Sequence, residues 1–284
     1  MQTLEQALRA AALQLAAFDS ARLDAELLLA HLLGMRRGAL LAHLTDTLQP
    51  SLAERYAQLL RARATGQPVA YLIGEREFWS LPLQVSPAVL VPRPDTETLV
   101  ERALLRGPLA AARCADLGTG SGAIALALAH ERPAWQILAT DASAAALAVA
   151  RANAQRLEFG NVAFAQGSWC AALGTGRFDL IVSNPPYLAE EDAALADPVL
   201  QQEPRSALVS GATGLEAYEA LARQTPAHLH PGGWLLLEHG ATQAAAVAEL
   251  LVAQGFSHVG SHPDLAGLPR VTEAQWPGPV PDIK

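Results

Sequence analysis

Asp116-Leu117-Gly118-Thr119-Gly120-Ser121-Gly122, with Asp141 standing 19 residues beyond Gly122, is the stretch on which the fold turns. Residues 113–117 read as a strand and 123–130 as a helix. Three glycines between them allow positive φ and remove Cβ, so a ligand can lie against the backbone where strand becomes helix. Outward from this turn the alternation continues. Strand 135–140, helix 144–157, strands 162–165 and 178–182, helix 218–228, strand 234–237 and helix 243–254 follow in order. Segments 256–260 and 270–276 are expected to finish the sheet as an antiparallel edge. Strands separated by helical stretches imply right-handed βαβ crossovers, so the expected class is α/β with a doubly wound, mostly parallel sheet.

The amino-terminal part has another grammar. Thr3 with Gln6, and Ser51 with Glu54, have the spacing of a capping box. Leu23, Leu27, Ala30 and Leu33 recur at helical intervals as one apolar stripe, and Pro50 opens the last helix. A small helical bundle is expected over 1–73. The segments Tyr71-Leu72-Ile73-Gly74, Glu77-Phe78-Trp79 and Leu83-Gln84-Val85 are short, aromatic or β-branched, and broken by Gly and Pro. They predict a β-hairpin connector over 74–91, ahead of a catalytic domain at 92–284.

Composition narrows the function. The 284 residues suit one or two domains, and 51% hydrophobic with 17% charged residues fits a packed chain. Twenty Lys and Arg against 28 Asp and Glu leave a net charge of −8, which counts against a surface made for the phosphate backbone. No direct nucleic-acid binding is expected. Cys114 and Cys170 match no metal spacing, the 8 histidines include no H-E-x-x-H, and no metal is expected. No signal peptide is expected at the amino end, and the apolar run 123–129 is too short for a membrane span. A reducing, cytoplasmic setting is the expectation.

In doubly wound sheets ligands bind beyond the carboxyl ends of the strands, so the informative residues follow the strands. Asp141 sits at the offset where a carboxylate accepts from two vicinal ribose hydroxyls. The spacing Gly118-x-Gly120-x-Gly122 is one residue tighter than a dinucleotide fingerprint. Asp116 at its mouth disfavours pyrophosphate and suits an ammonium and a sulfonium, both of which S-adenosylmethionine carries. Trp169 either stacks near the adenosine or fills the core; Arg93 and Glu97 either anchor a substrate backbone or pair with each other. His239 is expected to be a structural hydrogen-bonder.

Ser183-Asn184-Pro185-Pro186-Tyr187 follows the fourth strand. Each proline pushes its predecessor towards the extended region and lacks an N–H, which makes the loop a stiff lip. The Asn184 side-chain carbonyl and the Pro185 backbone carbonyl can converge on one NH₂ group, with the Tyr187 ring against a planar substrate. An amide or aromatic amine nitrogen is a poor nucleophile. Two acceptors that hold both N–H bonds orient its lone pair and stabilise the charge that develops on attack. Asn184 is therefore the candidate catalytic residue.

With these motifs the chain resembles the PrmC/HemK family nearly end to end. The shared segments include Pro68-Val69-Ala70-Tyr71-Leu72-Ile73-Gly74, Val91-Pro92-Arg93-Pro94-Asp95-Thr96-Glu97, the glycine run, Asn184-Pro185-Pro186-Tyr187 and Leu237-Glu238-His239-Gly240. The resemblance implies a class I S-adenosylmethionine-dependent methyltransferase fold, Rossmann-like, with a helical amino-terminal domain that docks the protein substrate. It implies transfer of a methyl group to the side-chain amide nitrogen of the glutamine in the Gly-Gly-Gln motif of class I peptide chain release factors. Gly118, Thr119, Gly120, Ser121, Gly122, Asp141, Trp169 and Asn184 would contact the cofactor, and Asn184, Pro185, Pro186 and Tyr187 the glutamine. Ser168 stands where the family commonly has an acidic contact to the adenine amine, which implies weaker adenine recognition. Asn-Pro-Pro-Tyr alone is shared with enzymes that methylate adenine N6 in nucleic acid, and that activity is the alternative.

Overall fold

The alternating grammar of the sequence produces alternating structure. The computed structural model describes residues 2–279, which divide into two compact units, 2–75 with Ala196–Gln202, and Arg76–Leu195 with 203–279.

The first unit carries α1 (Leu4–Gln14), α2 (Ala21–Leu32), α3 (Arg37–Ala42), α4 (Pro50–Ala64) and α5 (Val69–Ile73). Their apolar faces meet on Leu8, Leu15, Leu28, Leu29, Leu40 and Tyr56, all buried. The capping box at Thr3 forms: Gln6 N–H donates to Thr3 Oγ1 at 3.2 Å, and Thr3 N–H to Gln6 Oε1 at 3.0 Å. The expected box at Ser51 does not. Pro50, whose fixed φ suits the first helical position, starts α4 two residues earlier with Gln49 as its cap, so Ser51 already lies inside the helix. The stripe on α2 is also displaced. Leu23 is exposed; of the expected stripe Ala30 is buried and Leu33 packs against the core, and the rest of the core face is Ala25, Leu28 and Leu29. Acidic neighbours can join that face because they are paired. Asp24 accepts from Arg63 Nε at 2.7 Å, and Arg63 lies over the Phe18 ring at 3.7 Å. Tyr71-Leu72-Ile73, read as strand-like, is the body of α5, which ends on Gly74 in the left-handed region at φ 83°.

The second unit opens with a hairpin whose strands are β1 (Glu75–Phe78) and β2 (Leu81–Gln84). There follow α6 (Glu97–Arg106), β3 (Arg113–Leu117), α7 (Ala123–Glu131), β4 (Gln136–Asp141), α8 (Ala144–Arg156), β5 (Val162–Gln166) and β6 (Phe178–Ser183). Then come α9 (Glu216–Gln224), β7 (Leu229–Glu238), α10 (Ala244–Ala253), β8 (Ser257–Pro263) and β9 (Pro269–Gln275). Among the described residues seven strands form the large sheet, in the order β5-β4-β3-β6-β7-β9-β8. The first five are parallel, and β9 runs antiparallel between β7 and β8, as the edge reading anticipates. Helices cover both faces. Leu180 and Val182 of β6 point to a core shared with α6 and α7, while Ile181 points to one shared with α9 and α10. Buried on both faces, β6 is a continuous apolar run for that reason. Helix α7 is buried from Ala123 to Ala129, which explains why it shows no polar stripe.

One buried charge ties α6 to the antiparallel edge. Glu273 on β9 accepts from Arg102 Nη2 at 2.8 Å and from Arg106 Nε at 2.9 Å, with His262 beside it. Burial opposes the charge, but these partners win and hold the carboxyl down at about 2. A lowered pKa stabilises the fold fully above the ordinary carboxylate range and is lost as pH falls towards that value. The substitution Glu273→Gln is expected to cost about 3 kcal/mol at neutral pH, because two cations lose their counter-charge. In urea titrations the gap to the parent protein should close progressively as pH falls from about 4.5 to about 2.

Candidate active site

The carboxyl ends of β4, β3 and β6 lie side by side, and the loops that leave them build the site. Leu117 pairs with Thr140 on one side and Ser183 on the other. The Ser183 hydroxyl donates to Leu117 O at 2.7 Å, and Gly118 and Thr119 N–H both donate to Thr140 O, at 2.9 and 2.8 Å. These bonds pin the start of the glycine loop to both neighbours. Gly118 and Gly120 then take φ of 75° and 55°. A Cβ at Gly120 would meet nothing within 4 Å, and one at Gly118 would face the Trp169 ring at 3.8 Å. The loop is thus a bare backbone floor with an aromatic wall. Asp141 rises beside it, with Oδ2 accepting Gly120 N–H at 3.0 Å and Oδ1 accepting Ser143 N–H at 2.8 Å. Each oxygen retains a lone pair for a ligand hydroxyl.

A cavity of about 400 Å³ stands over this floor, within the usual range for a small-molecule site. Gly118, Thr119, Gly120, Ser121, Asp141 and Trp169 of the expected cofactor set line it, together with Asn184, Pro185 and Pro186 of the lip. Ser168 and Arg93 line it as well. Two expected residues do not. Gly122 caps α7 behind the floor. Tyr187 is half-buried against the α9–α10 core, where its carbonyl accepts from Gln243 Nε2 at 3.0 Å.

Asp116 is a correction. It is fully buried under the loop, not at the cavity mouth, because Thr119 Oγ1 donates to its Oδ2 at 2.6 Å and Ala125 N–H at 3.2 Å. Its Oδ1 has no hydrogen-bond partner, and burial pushes the carboxyl up to about 7. Glu97 does not pair with Arg93 either: its Oε1 accepts Trp79 N–H at 2.9 Å. His239 is a structural group, as expected. It is buried, with Nδ1 at 2.9 Å from Gly240 O and Nε2 at 2.9 Å from Thr272 Oγ1, and burial lowers its pKa.

Three side chains that the motifs did not single out complete the site. Glu203 is fully buried, and its Oε2 accepts Val91 N–H at 3.0 Å while Oε1 pairs with Arg93. It clamps Val91 and Arg93 to its own segment, of which Pro204, Ser206 and Ala207 also line the cavity. Thr96 accepts from Asn184 Nδ2 at 3.2 Å. Glu238, at the end of β7, is buried, and burial pushes its carboxyl up to about 7. Its signal in the sequence is an acid directly after the apolar run 234–237, inside the shared segment Leu237-Glu238-His239-Gly240.

Residues 6–74 match the PrmC N-terminal domain, and residues 95–212 match the methyltransferase small domain. A release factor glutamine methyltransferase of Xylella fastidiosa is 53% identical over 90% of this chain and 94% of its own. One of Vibrio cholerae is 48% identical over 96% of this chain and 97% of its own. The chain belongs to the release factor glutamine methyltransferase family. Among solved structures, a methyltransferase from Pyrococcus furiosus superposes with a TM-score of 0.54 at 21% identity, covering 80% of this chain and all of that one, which shows the shared fold. Family membership agrees with a floor-and-lip cavity at the ends of β3, β4 and β6.

The buried Asp116 carboxyl gives the site a pH signature. A raised pKa favours the fold below the ordinary carboxylate value, and that benefit is lost as pH rises through about 7. Asp116→Asn keeps an oxygen for Thr119 and Ala125 and removes the buried charge. In thermal melts the variant should exceed the parent at pH 8 and lose most of that advantage at pH 5.

Proposed function

We propose that this chain transfers a methyl group from S-adenosylmethionine to the side-chain amide nitrogen (N5) of the glutamine in the Gly-Gly-Gln motif of class I peptide chain release factors. The observation that carries it is the juxtaposition of Asn184 and Pro185 with the glycine floor, at one level on adjacent parallel strands, in a chain of this family.

The residues present fit the cofactor. An unobstructed backbone floor at Gly118 and Gly120 accepts a flat nucleoside, and Asp141 has lone pairs for both ribose hydroxyls. Trp169 offers a ring at its edge. Thr119, Ser121 and Gly122 set the loop that holds it. When bound, S-adenosylmethionine supplies an electrophilic methyl group on a positively charged sulfur. Asn184 Oδ1 and the Pro185 carbonyl accept the two N–H bonds of the glutamine amide and turn its lone pair towards that methyl. As the N–C bond forms the methyl–sulfur bond breaks, its electron pair staying on sulfur as a neutral thioether; positive charge grows on nitrogen, and the same two acceptors stabilise it. The extra proton then passes to water, so no dedicated base is needed. Pro186 stiffens the lip, and Tyr187 anchors its trailing end.

Docking of the release factor is assigned to the helical unit, residues 1–73, with 74–91 as connector and 92–284 as catalytic domain. No direct contact with nucleic acid and no membrane attachment enters this account; among the described residues no helix is long and apolar enough to cross a membrane. Two buried free thiols, Cys114 and Cys170, suit a reducing cytoplasm.

Labelled methyl transfer into purified release factor, beside release factor lacking that glutamine and beside DNA and RNA, tests the assignment. Label in the intact release factor alone supports it, and label in adenine would replace it with the nucleic-acid activity. Asn184→Ala should lower kcat on the order of 100- to 1000-fold, the usual cost of removing one charge-stabilising partner, with cofactor affinity by calorimetry little changed. Asp141→Ala should chiefly weaken the cofactor.

A further inference from the structure

Two charged side chains line the cavity among the described residues, Asp141 and Arg93. Asp141 is matched to neutral ribose hydroxyls. Arg93 has no part in the transfer step, yet a buried carboxylate holds it. The Glu203 side chain, fully buried, pairs through Oε1 with Arg93 Nη2 and through Oε2 accepts Val91 N–H at 3.0 Å. With both oxygens engaged it takes one N–H of the guanidinium and not the two of a bidentate fork. Among the described residues the Arg93 side chain has no other hydrogen-bond partner. It is 36% exposed and lines the cavity, so its remaining N–H donors are left for a ligand.

We propose that Arg93 binds the carboxylate of the amino-acid part of S-adenosylmethionine, and that Glu203 is its positioning residue. Place and charge both support this. Arg93 O accepts Thr96 N–H at 3.2 Å, and Thr96 Oγ1 accepts from Asn184 Nδ2 at 3.2 Å. Arg93 therefore stands on the β6 side of the glycine floor, across β3 from Asp141. A nucleoside held by its ribose at Asp141 must bring its sulfur to the Asn184 side for methyl transfer. The amino-acid chain leaves that same sulfur, so its carboxylate belongs to the half of the cavity that Arg93 lines.

Charge decides between the two molecules that meet here. The Gly-Gly-Gln segment is neutral and offers a guanidinium only carbonyl oxygens. Of that segment and the cofactor, the cofactor carboxylate is the one anionic group. A hydrogen bond between ionised partners is roughly twice as strong as one between neutral partners. Orientation adds to this. A long, free arginine loses rotamer entropy when a ligand fixes it, whereas Glu203 has already fixed the Arg93 head group, so less freedom is lost on binding.

The proposal rests on the cavity taking S-adenosylmethionine, and direct binding separates the two ideas. Calorimetry on the full chain compares S-adenosylmethionine with decarboxylated S-adenosylmethionine, which keeps the nucleoside, the sulfonium and the amine. The parent protein should bind the first on the order of 10- to 100-fold more tightly, the range of a hydrogen bond to a charged group. Arg93→Met should weaken S-adenosylmethionine by that factor and leave the decarboxylated form within about twofold. Glu203→Gln, which keeps an oxygen for Val91 but releases the guanidinium, should lose part of the same preference. Because Arg93→Met strands a buried carboxylate, the double variant Arg93→Met/Glu203→Gln is measured beside it, its fold checked by melting curves, and should show the same loss of preference. Equal weakening of both ligands overturns the proposal, as does unchanged binding of both; a raised KM for the release factor with both Kd values unchanged would assign Arg93 to the protein substrate instead. Full parental preference in Glu203→Gln removes its positioning role. A parent protein that binds neither ligand defeats the cofactor reading itself.

Discussion

The register of β3 against its two parallel neighbours is the constraint on which the site depends. Leu117 lies opposite Thr140 and Ser183 at once. The next residue of each chain segment, Gly118, Asp141 and Asn184, therefore stands at the same height on the carboxyl edge of the sheet. Floor, ribose-binding carboxylate and substrate lip are brought together by backbone pairing before any side chain chooses a rotamer. A slip by one residue would turn every strand side chain to the opposite face and separate the three groups. The hydroxyl of Ser183 on Leu117 O reinforces that level from inside the sheet.

Around this frame the chain uses buried carboxylates in two ways. Glu203 and Glu273 have partners on their oxygens, and both join segments that are remote in sequence. Asp116 and Glu238 each keep one oxygen unpartnered, and burial raises both to about 7. The first pair secures architecture. The second pair lies under and beside the cavity, where desolvated charge is expensive and where its effect on a neighbouring group is strongest. Asn153 adds an uncharged link of the same kind. Its side chain bonds Gln84 in both directions and also Ser121 O, which ties the hairpin strand β2 to the glycine loop.

Strand–helix alternation and the glycine run were legible because they depend on local chemistry: conformational freedom at Gly118 and Gly120, stiffness at Pro185 and Pro186, periodicity in the strands. The antiparallel edge and the family resemblance followed from the same short signals. What stayed hidden was set by partners far away in the chain. Asp116 looked like a mouth residue until Thr119 and Ala125 drew it beneath the loop. The α2 stripe was misplaced because Leu27, Leu28 and Leu29 stand together and give no single phase, while paired acids share the buried face. Glu203 carries no motif of its own; only the fold shows that its oxygens meet Val91 and Arg93.

That last contact has a consequence for biosynthesis. The bond between Glu203 and Val91 N–H spans 112 positions, so the closed ring of chain is long and its closure entropically slow. During vectorial synthesis the strands that carry Gly118 and Asp141 emerge well before Glu203 does. The nucleoside half of the cavity is assembled first, and the rim that encloses it is a late event of maturation.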